Sequence, residues 1–253
     1  MKKIVFTLLA VSYDGNTNYL ESCKLLASEI LSQTNHDVII TTNDTSYFSE
    51  IQSSRTWIRD LPDSDVSVHF NGAFNYNLKY MCFWNIPATY DVVIYVDCDI
   101  KLEGPSGEPW DSSVDEYISL LFDEYGWNSV GQRTYCFLEH EIDKYVGGEH
   151  SLFSHKFPIY GLEYIMSLGE DMRSTKTPAE HFFMIQNSVE MTNMMYETWK
   201  ELNKRYENNT QGNSAAHDAL EIGIALKLAG YNLQEIPISE HQCLKLKFNG
   251  NKK

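Results

Sequence analysis

The apolar residues of this chain alternate between two spacings. Residues 4–11, IVFTLLAV, and 38–42, VIITT, are short apolar runs rich in β-branched side chains, the pattern of buried strands. Between them Leu20, Cys23, Ala27, Ile30 and Leu31 recur at helical spacing, so the polar stretch after Val11 is predicted as a strand-to-helix turn. A strand, helix, strand unit pairs its strands in parallel through a right-handed crossover. Residues 92–96, VVIYV, give the most continuous strand signal and suit a central strand covered on both faces. The aromatic stretch 75–86 is predicted as a helix leading into it.

From about residue 104 to 180 the regularity falls away, with Gly-Pro and Gly-Gly punctuation, many aromatics and several histidines, so insertions around a site are expected there. Met191, Met194, Met195, Thr198, Trp199, Leu202 and Tyr206 then return to helical spacing, a stripe that reads as core. The polar run 208–213, NNTQGN, is expected to break that helix. Asn213 or Ser214 can cap a second one that stops at Gly230, with a short strand over 233–236. The sum is one α/β domain: a Rossmann-like, mostly parallel sheet flanked by helices.

A chain of 253 residues can bury one sizeable core. Its formal charge of −15 repels polyanions and argues against non-specific nucleic-acid binding, without excluding a local basic patch. The 5 cysteines form no CxxC pair and are odd in number, which reads as reduced thiols in a cytoplasmic protein. The start, MKKIVFTLLAV, imitates a signal peptide but lacks a small-x-small cleavage site and reads better as the first strand. No apolar run approaches the ~20 residues that span a bilayer. Asn43 and Asn208 lie in glycosylation sequons that carry little meaning in a cytoplasmic protein.

The chemistry concentrates in DVVIYVDCDI, residues 91–100, where a buried strand runs directly into two carboxylates. Strand alternation puts Asp97 and Asp99 on one face and Cys98 on the other. Two anions at the end of an apolar strand repel each other unless solvent or a cation compensates them. A hard divalent ion, Mn2+ or Mg2+, suits such oxygen ligands and leaves positions for water and phosphate oxygens. The bland reading is a loop with two solvated aspartates. Cys136, His140, His150 and His155 invite a zinc reading, but their spacings match no common zinc pattern.

TYDVVIYVDCDI, preceded by NYNLKYMCFW, resembles the segment of type A (GT-A) glycosyltransferases in which a basic residue on a helix precedes a strand ending in Asp-x-Asp. The pattern is nearest to glycosyltransferase family 8, whose helix commonly carries Arg where this chain has Lys79. The resemblance implies a nucleotide-sugar transferase, UDP-linked by family frequency. Its nucleotide-binding half would span about 1–103 and its acceptor and sugar half about 104–253. Asp97 and Asp99 would hold the metal and, through it, the diphosphate, neutralising the leaving group. Lys79 would face the nucleotide or donor sugar, where a plain helix-surface lysine would be solvated.

FTLLAVSYDGNTNYLESCKLL is similar to the first strand and helix of that fold, which implies that Leu9, Ala10, Val11 and Tyr13 embrace the nucleoside. SAAHDALEIGIALKLAGYNLQEIP is similar to its acidic helix and puts Asp218 near the transferred sugar or the acceptor. The pairing of His217 with Asp218 matches neither the Glu-Asp nor the Asp-Gln-Asp version, so both stereochemical outcomes stay open. Asp218 and Glu221 are spaced to share a helical face, and Asp218 near a helix start is favoured as an anion by the dipole. PAEHFFMIQNSV resembles the strand lining the donor sugar, with His181 or Glu180 as lining residue and Phe182 and Phe183 as core. In PISEHQCLKLKFNGNKK the resemblance implies His241 as a third metal ligand, and FNGNKK resembles the family's Gly-x-x-Lys-Pro-Trp stretch without its Pro-Trp, which offers Lys252 as a phosphate contact.

Two other classes compete. A sugar-phosphate nucleotidylyltransferase shares the fold but would carry a Gly-rich, basic loop after the first strand, which VSYDGNTNY lacks. A non-catalytic glycan- or nucleotide-binding relic would not require a metal. The acceptor is left open among glycans, proteins, small molecules and modified DNA bases, the last disfavoured by the acidic charge.

Overall fold

The computed structural model describes residues 2–12, 16–61, 76–102, 108–135, 175–179, 181–209 and 218–248. The apolar runs become β1 (Ile4–Ala10), β2 (Asp37–Thr42) and β4 (Val92–Val96), each almost wholly buried. They are joined by β3 (Thr56–Asp60), β6 (Ser129–Gly131), β9 (Phe182–Gln186) and β10 (Leu233–Glu235). Among the described residues these form a seven-stranded sheet in the order β10-β6-β9-β4-β1-β2-β3. All neighbours are parallel except at β9, which runs antiparallel to both β4 and β6.

Alternation along the strands divides the core between the two faces. Phe6, Leu8, Ile40, Ile94 and Phe182 pack with Leu20, Cys23, Ala27 and Ile30 of α1 (Asn18–Gln33) and with Val114 and Ile118 of α2 (Ser112–Ser119). Val5, Ile39, Val93, Tyr95 and Phe183 pack on the other side. Their partners are Met195 and Trp199 of α3 (Val189–Asn209), Ile222 and Ala225 of α4 (Asp218–Leu228), and the apolar residues of a 3-10 helix, Tyr76–Phe83. Both faces of β4 are therefore covered, as its unbroken apolar run requires.

Several boundaries differ from the sequence reading. The helix expected over 75–86 is a 3-10 helix that stops at Phe83, because Asn85 takes a left-handed conformation (φ 49°) and Ile86 precedes Pro87. Helix α3 continues through Asn209, into the polar stretch expected to break it. Gly230, at φ 87°, ends α4 as predicted. Tyr13, Cys136, His140, His150, His155, Glu180, Asn213, Ser214, His217 and Lys252 lie outside the described residues, and so does the zinc reading.

Two short pairings matter for the site. The pair β7 (Thr134–Tyr135) and β8 (Thr177–Pro178) is antiparallel, and β8 packs on α4. The antiparallel pair β5 (Ile100–Lys101) and β11 (Lys247–Phe248) sets Phe248 opposite Ile100, so the last described strand lies alongside the chain that leaves Asp99. On the sheet's first face His36 is buried, its Nε2 2.8 Å from Asp115 Oδ1. Trp110 Nε1 donates to the same oxygen at 3.0 Å, tying the start of β2 to α2.

Candidate functional site

Strand β1 feeds β2 on one side of the sheet, whereas β4 lies on its other side, so the strand order reverses between β1 and β4. In open α/β sheets such a switch point leaves a crevice at the carboxyl ends of the strands, and ligands bind there. Asp97 and Asp99 follow the carboxyl end of β4, and Leu9, Ala10 and Val11 lie at the carboxyl end of β1. The sheet topology therefore brings the nucleoside and metal candidates to one edge.

Asp97 extends the β4–β9 ladder by one step, its N–H donating to the His181 carbonyl at 2.9 Å. The chain then turns, and Ile100 N–H closes on the Asp97 carbonyl at 3.1 Å. Pleat geometry thus ends at Asp97, and the turn, not strand alternation, sets the position of Asp99. Cys98 points away from Asp97 as expected. Its thiol packs on the α1 face and donates to the Leu9 carbonyl at 3.1 Å, which ties the turn to the end of β1. The hydrogen bond with Cys23, burial, and the nearby carboxylates push the Cys98 thiol up, so it stays neutral and acts as a strut.

The surroundings of Asp97 are more elaborate than the sequence suggested. Tyr95, two residues back on the same strand face, donates its hydroxyl to Asp97 Oδ1. Burial, then the Asp97 charge, holds the Tyr95 phenol well above its ordinary value, so it remains a donor. Lys79 Nζ lies 3.1 Å from Asp97 Oδ1 and 3.2 Å from Oδ2, and 5.7 Å from the centre of the Tyr95 ring. Its side chain is only 7% exposed, against 23% for that of Asp97, so Lys79 is not a solvated helix lysine. Removing one member of a buried pair of this kind leaves an uncompensated charge and costs about 3–5 kcal/mol.

Other candidates fall around this centre to different degrees. His181 meets Asp97 through its backbone. Asp218 is the first residue of α4; its side chain lies outside the described set. One turn on, Glu221 is buried and accepts from Trp199 Nε1 at 3.0 Å. His241 sits in a 3-10 helix, Ile238–Leu244, with Nε2 2.9 Å from the Ile236 carbonyl. Among the described residues no three His, Cys, Asp or Glu side chains gather as metal ligands, so His241 is not brought together with Asp97 and Asp99. The two aspartates supply hard oxygen donors, a set that fits Mn2+ or Mg2+ and leaves most of an octahedral shell to other ligands.

Two participants escaped the sequence reading. Tyr95 was readable from the same alternation that exposed Asp97, but it looked like core. Asn43 exchanges two hydrogen bonds with the Ser12 backbone, Oδ1 accepting at 2.8 Å and Nδ2 donating at 2.9 Å, and so pins the loop after β1 to the loop after β2. No local pattern announces a contact between loops that distant in sequence.

No protein-family model matches the sequence, and no curated protein matches it. Similar solved structures do exist. Core-mannan synthase A from Aspergillus fumigatus, in a Mn/GDP form, shares 10% identity at a TM-score of 0.45, over 92% of this chain and 73% of that one. The galactosyltransferase LgtC, in complex with donor and acceptor sugar analogs, shares 12% identity at a TM-score of 0.48, over 91% of this chain and 72% of that one. Likeness this distant carries no assignment of activity, which has to come from the site.

Proposed function

We propose that this chain is a metal-dependent glycosyltransferase of the GT-A fold, taking a sugar from a nucleotide diphosphate, with UDP as the expected nucleotide. The observation that carries the reading is a pair of aspartates in the turn at the carboxyl end of β4, beside β1 at the switch point, with a buried lysine on the first of them. Asp97 and Asp99 would hold Mn2+ or Mg2+, which when bound supplies a Lewis acid for the departing diphosphate.

The protein's own part is to position and to exclude water. The ends of β1, Leu9 to Val11, with Tyr13, form the wall for the nucleoside, and the Asn43–Ser12 hydrogen bonds keep that wall in place. Lys79 supplies positive charge near the diphosphate or the donor sugar. His181, at the start of β9, and Asp218, at the start of α4, serve the transferred sugar and the acceptor hydroxyl. Strand β11 lies alongside the chain that leaves Asp99, which supports His241, in the helix just before that strand, and Lys252, after it, as the residues that close over bound nucleotide. His241 would then exchange its Ile236 contact for the metal. The acceptor is a hydroxyl of a glycan, protein or small molecule; a net charge of −15 disfavours DNA. No described helix is long and apolar enough to cross a membrane. The 5 cysteines, odd in number and without a CxxC pair, support a cytoplasmic setting.

A ligand bound only to the native state stabilises it by ~2.7 kcal/mol at a hundredfold excess over Kd. UDP with Mn2+ should therefore raise Tm by roughly 5–11 °C. UDP with chelator should raise it much less. Equal shifts with and without metal would point to a phosphate site that does not use the aspartates.

A further inference from the structure

We infer that Lys79 is an exchangeable counter-ion, seated on Asp97 when the metal is absent and released toward phosphate when the metal binds, so that it couples metal to nucleotide. The inference rests on the metal and nucleotide reading given above. Three observations lead to it. The ammonium straddles both Asp97 oxygens, at 3.1 and 3.2 Å, where a cation bound to that carboxylate would also draw its charge compensation. The Tyr95 hydroxyl occupies a further direction on Oδ1, which leaves little of Asp97's acceptor capacity free of Lys79. Lys79 is held in a closed setting, 7% exposed, with the Tyr95 ring beneath it, so its charge is screened weakly by solvent.

A divalent ion approaching Asp97 meets a resident positive charge and must displace it or bear its repulsion. Metal alone should therefore bind weakly. Nucleoside diphosphate arriving with the metal gives the released ammonium an anion to pair with, and the repulsion becomes attraction. Each ligand then raises the affinity of the other by the same factor, as linkage requires. An exposed lysine on a mobile stem would produce little of this, because solvent and salt would screen it.

The test is calorimetric titration of Mn2+ into the full chain, alone and with saturating UDP, for wild type, Lys79→Met and Lys79→Arg. Lys79→Met should bind Mn2+ alone at least about tenfold more tightly than wild type, the floor for removing a unit charge a few ångströms from a divalent one even at water's dielectric. The same variant should lose most of the enhancement that UDP confers. Lys79→Arg, which keeps the charge, should stay near wild type in both. Unchanged or weaker Mn2+ binding by Lys79→Met, with wild-type binding still dependent on Asp97, would overturn the inference and leave the proposed function standing. Absence of Mn2+ binding by wild type even with UDP would overturn both.

Amine labelling of the wild-type protein, read by mass spectrometry, keeps the test open if Lys79→Met does not fold. Lys79 should be protected without ligands, reactive with Mn2+ alone, and protected again with Mn2+ and UDP. Labelling that ignores Mn2+ would overturn the exchange.

Discussion

Replacing Gly223 by alanine should destabilise the protein, although the substitution improves helix propensity. Gly223 lies inside α4, where exchange for Ala is worth about 1 kcal/mol in the helix's favour. The opposing term comes from β8. A Cβ built at Gly223 would stand 2.4 Å from Thr177 Cγ2, 2.8 Å from the Lys176 carbonyl oxygen and 3.0 Å from Thr177 Cα. Two of these neighbours are backbone and the third belongs to a stiff β-branched side chain, so relief requires α4 and β8 to separate. Overpacking of this severity costs at least about 1–3 kcal/mol and here should fall toward the upper end. The net loss is then roughly 1–2 kcal/mol, a fall in Tm of about 2–8 °C for a chain of this size. Thermal unfolding followed by circular dichroism reads it. Adding Thr177→Ser removes the 2.4 Å contact but neither backbone contact, so it should recover only part of the loss. A Gly223→Ala protein as stable as wild type, or more so, would refute the close approach of β8 to α4 and with it the placement of Asp218.

Further outcomes follow from other parts of the structure. Burial pushes the Asp115 carboxyl up, but hydrogen bonds from His36 and Trp110 and the His36 charge outweigh it and hold it below its ordinary value. A depressed carboxyl contributes stability that is complete above its unfolded value and lost as pH falls through the folded one. Asp115→Asn should therefore cost about 1–3 kcal/mol at neutral pH and flatten the acid limb of the stability curve; an unchanged acid limb would count against the assignment. On the proposed function, Asp218→Asn should lower transfer far more than it weakens UDP binding, since Asp218 serves the sugar and not the diphosphate. A parallel fall in kcat and affinity would move it to the donor pocket.

Much of the sheet was readable because its strands are apolar on both faces. Val92–Val96, Ile4–Ala10 and the Asp37–Thr42 strand announce themselves as short β-branched runs, and Gly230 marks the end of α4. Strand direction was not readable for β9. FFMIQ is a continuous apolar run that reads the same in either direction, so only its partners β4 and β6 reveal that it is antiparallel. Strand β3, Thr56–Asp60, was missed, for TWIRD carries two charges and lies at the sheet's edge, where burial exerts little selection on pattern. At the site, Asp97 and Asp99 stood out as charge at the end of an apolar strand. The Lys79–Asp97 pair did not, because local spacing holds no information about a contact formed when the Tyr76–Phe83 helix packs on the far face of β4. The pinning of Ser12 by Asn43 joins two loops that meet only once the β1–β2 pair has formed.

The central claim is that the Asp97–Asp99 turn uses a divalent cation to open a nucleotide-sugar bond. Its most direct test is chromatographic detection of nucleoside diphosphate released from a panel of nucleotide sugars without acceptor, using wild type, Asp97→Asn and Asp99→Asn. The account predicts slow release from at least one donor by the wild-type protein in Mn2+, none with chelator, and none from either variant although both keep the wild-type circular dichroism spectrum. Release that persists in Asp97→Asn or Asp99→Asn at excess Mn2+, or that is indifferent to chelator, would contradict it.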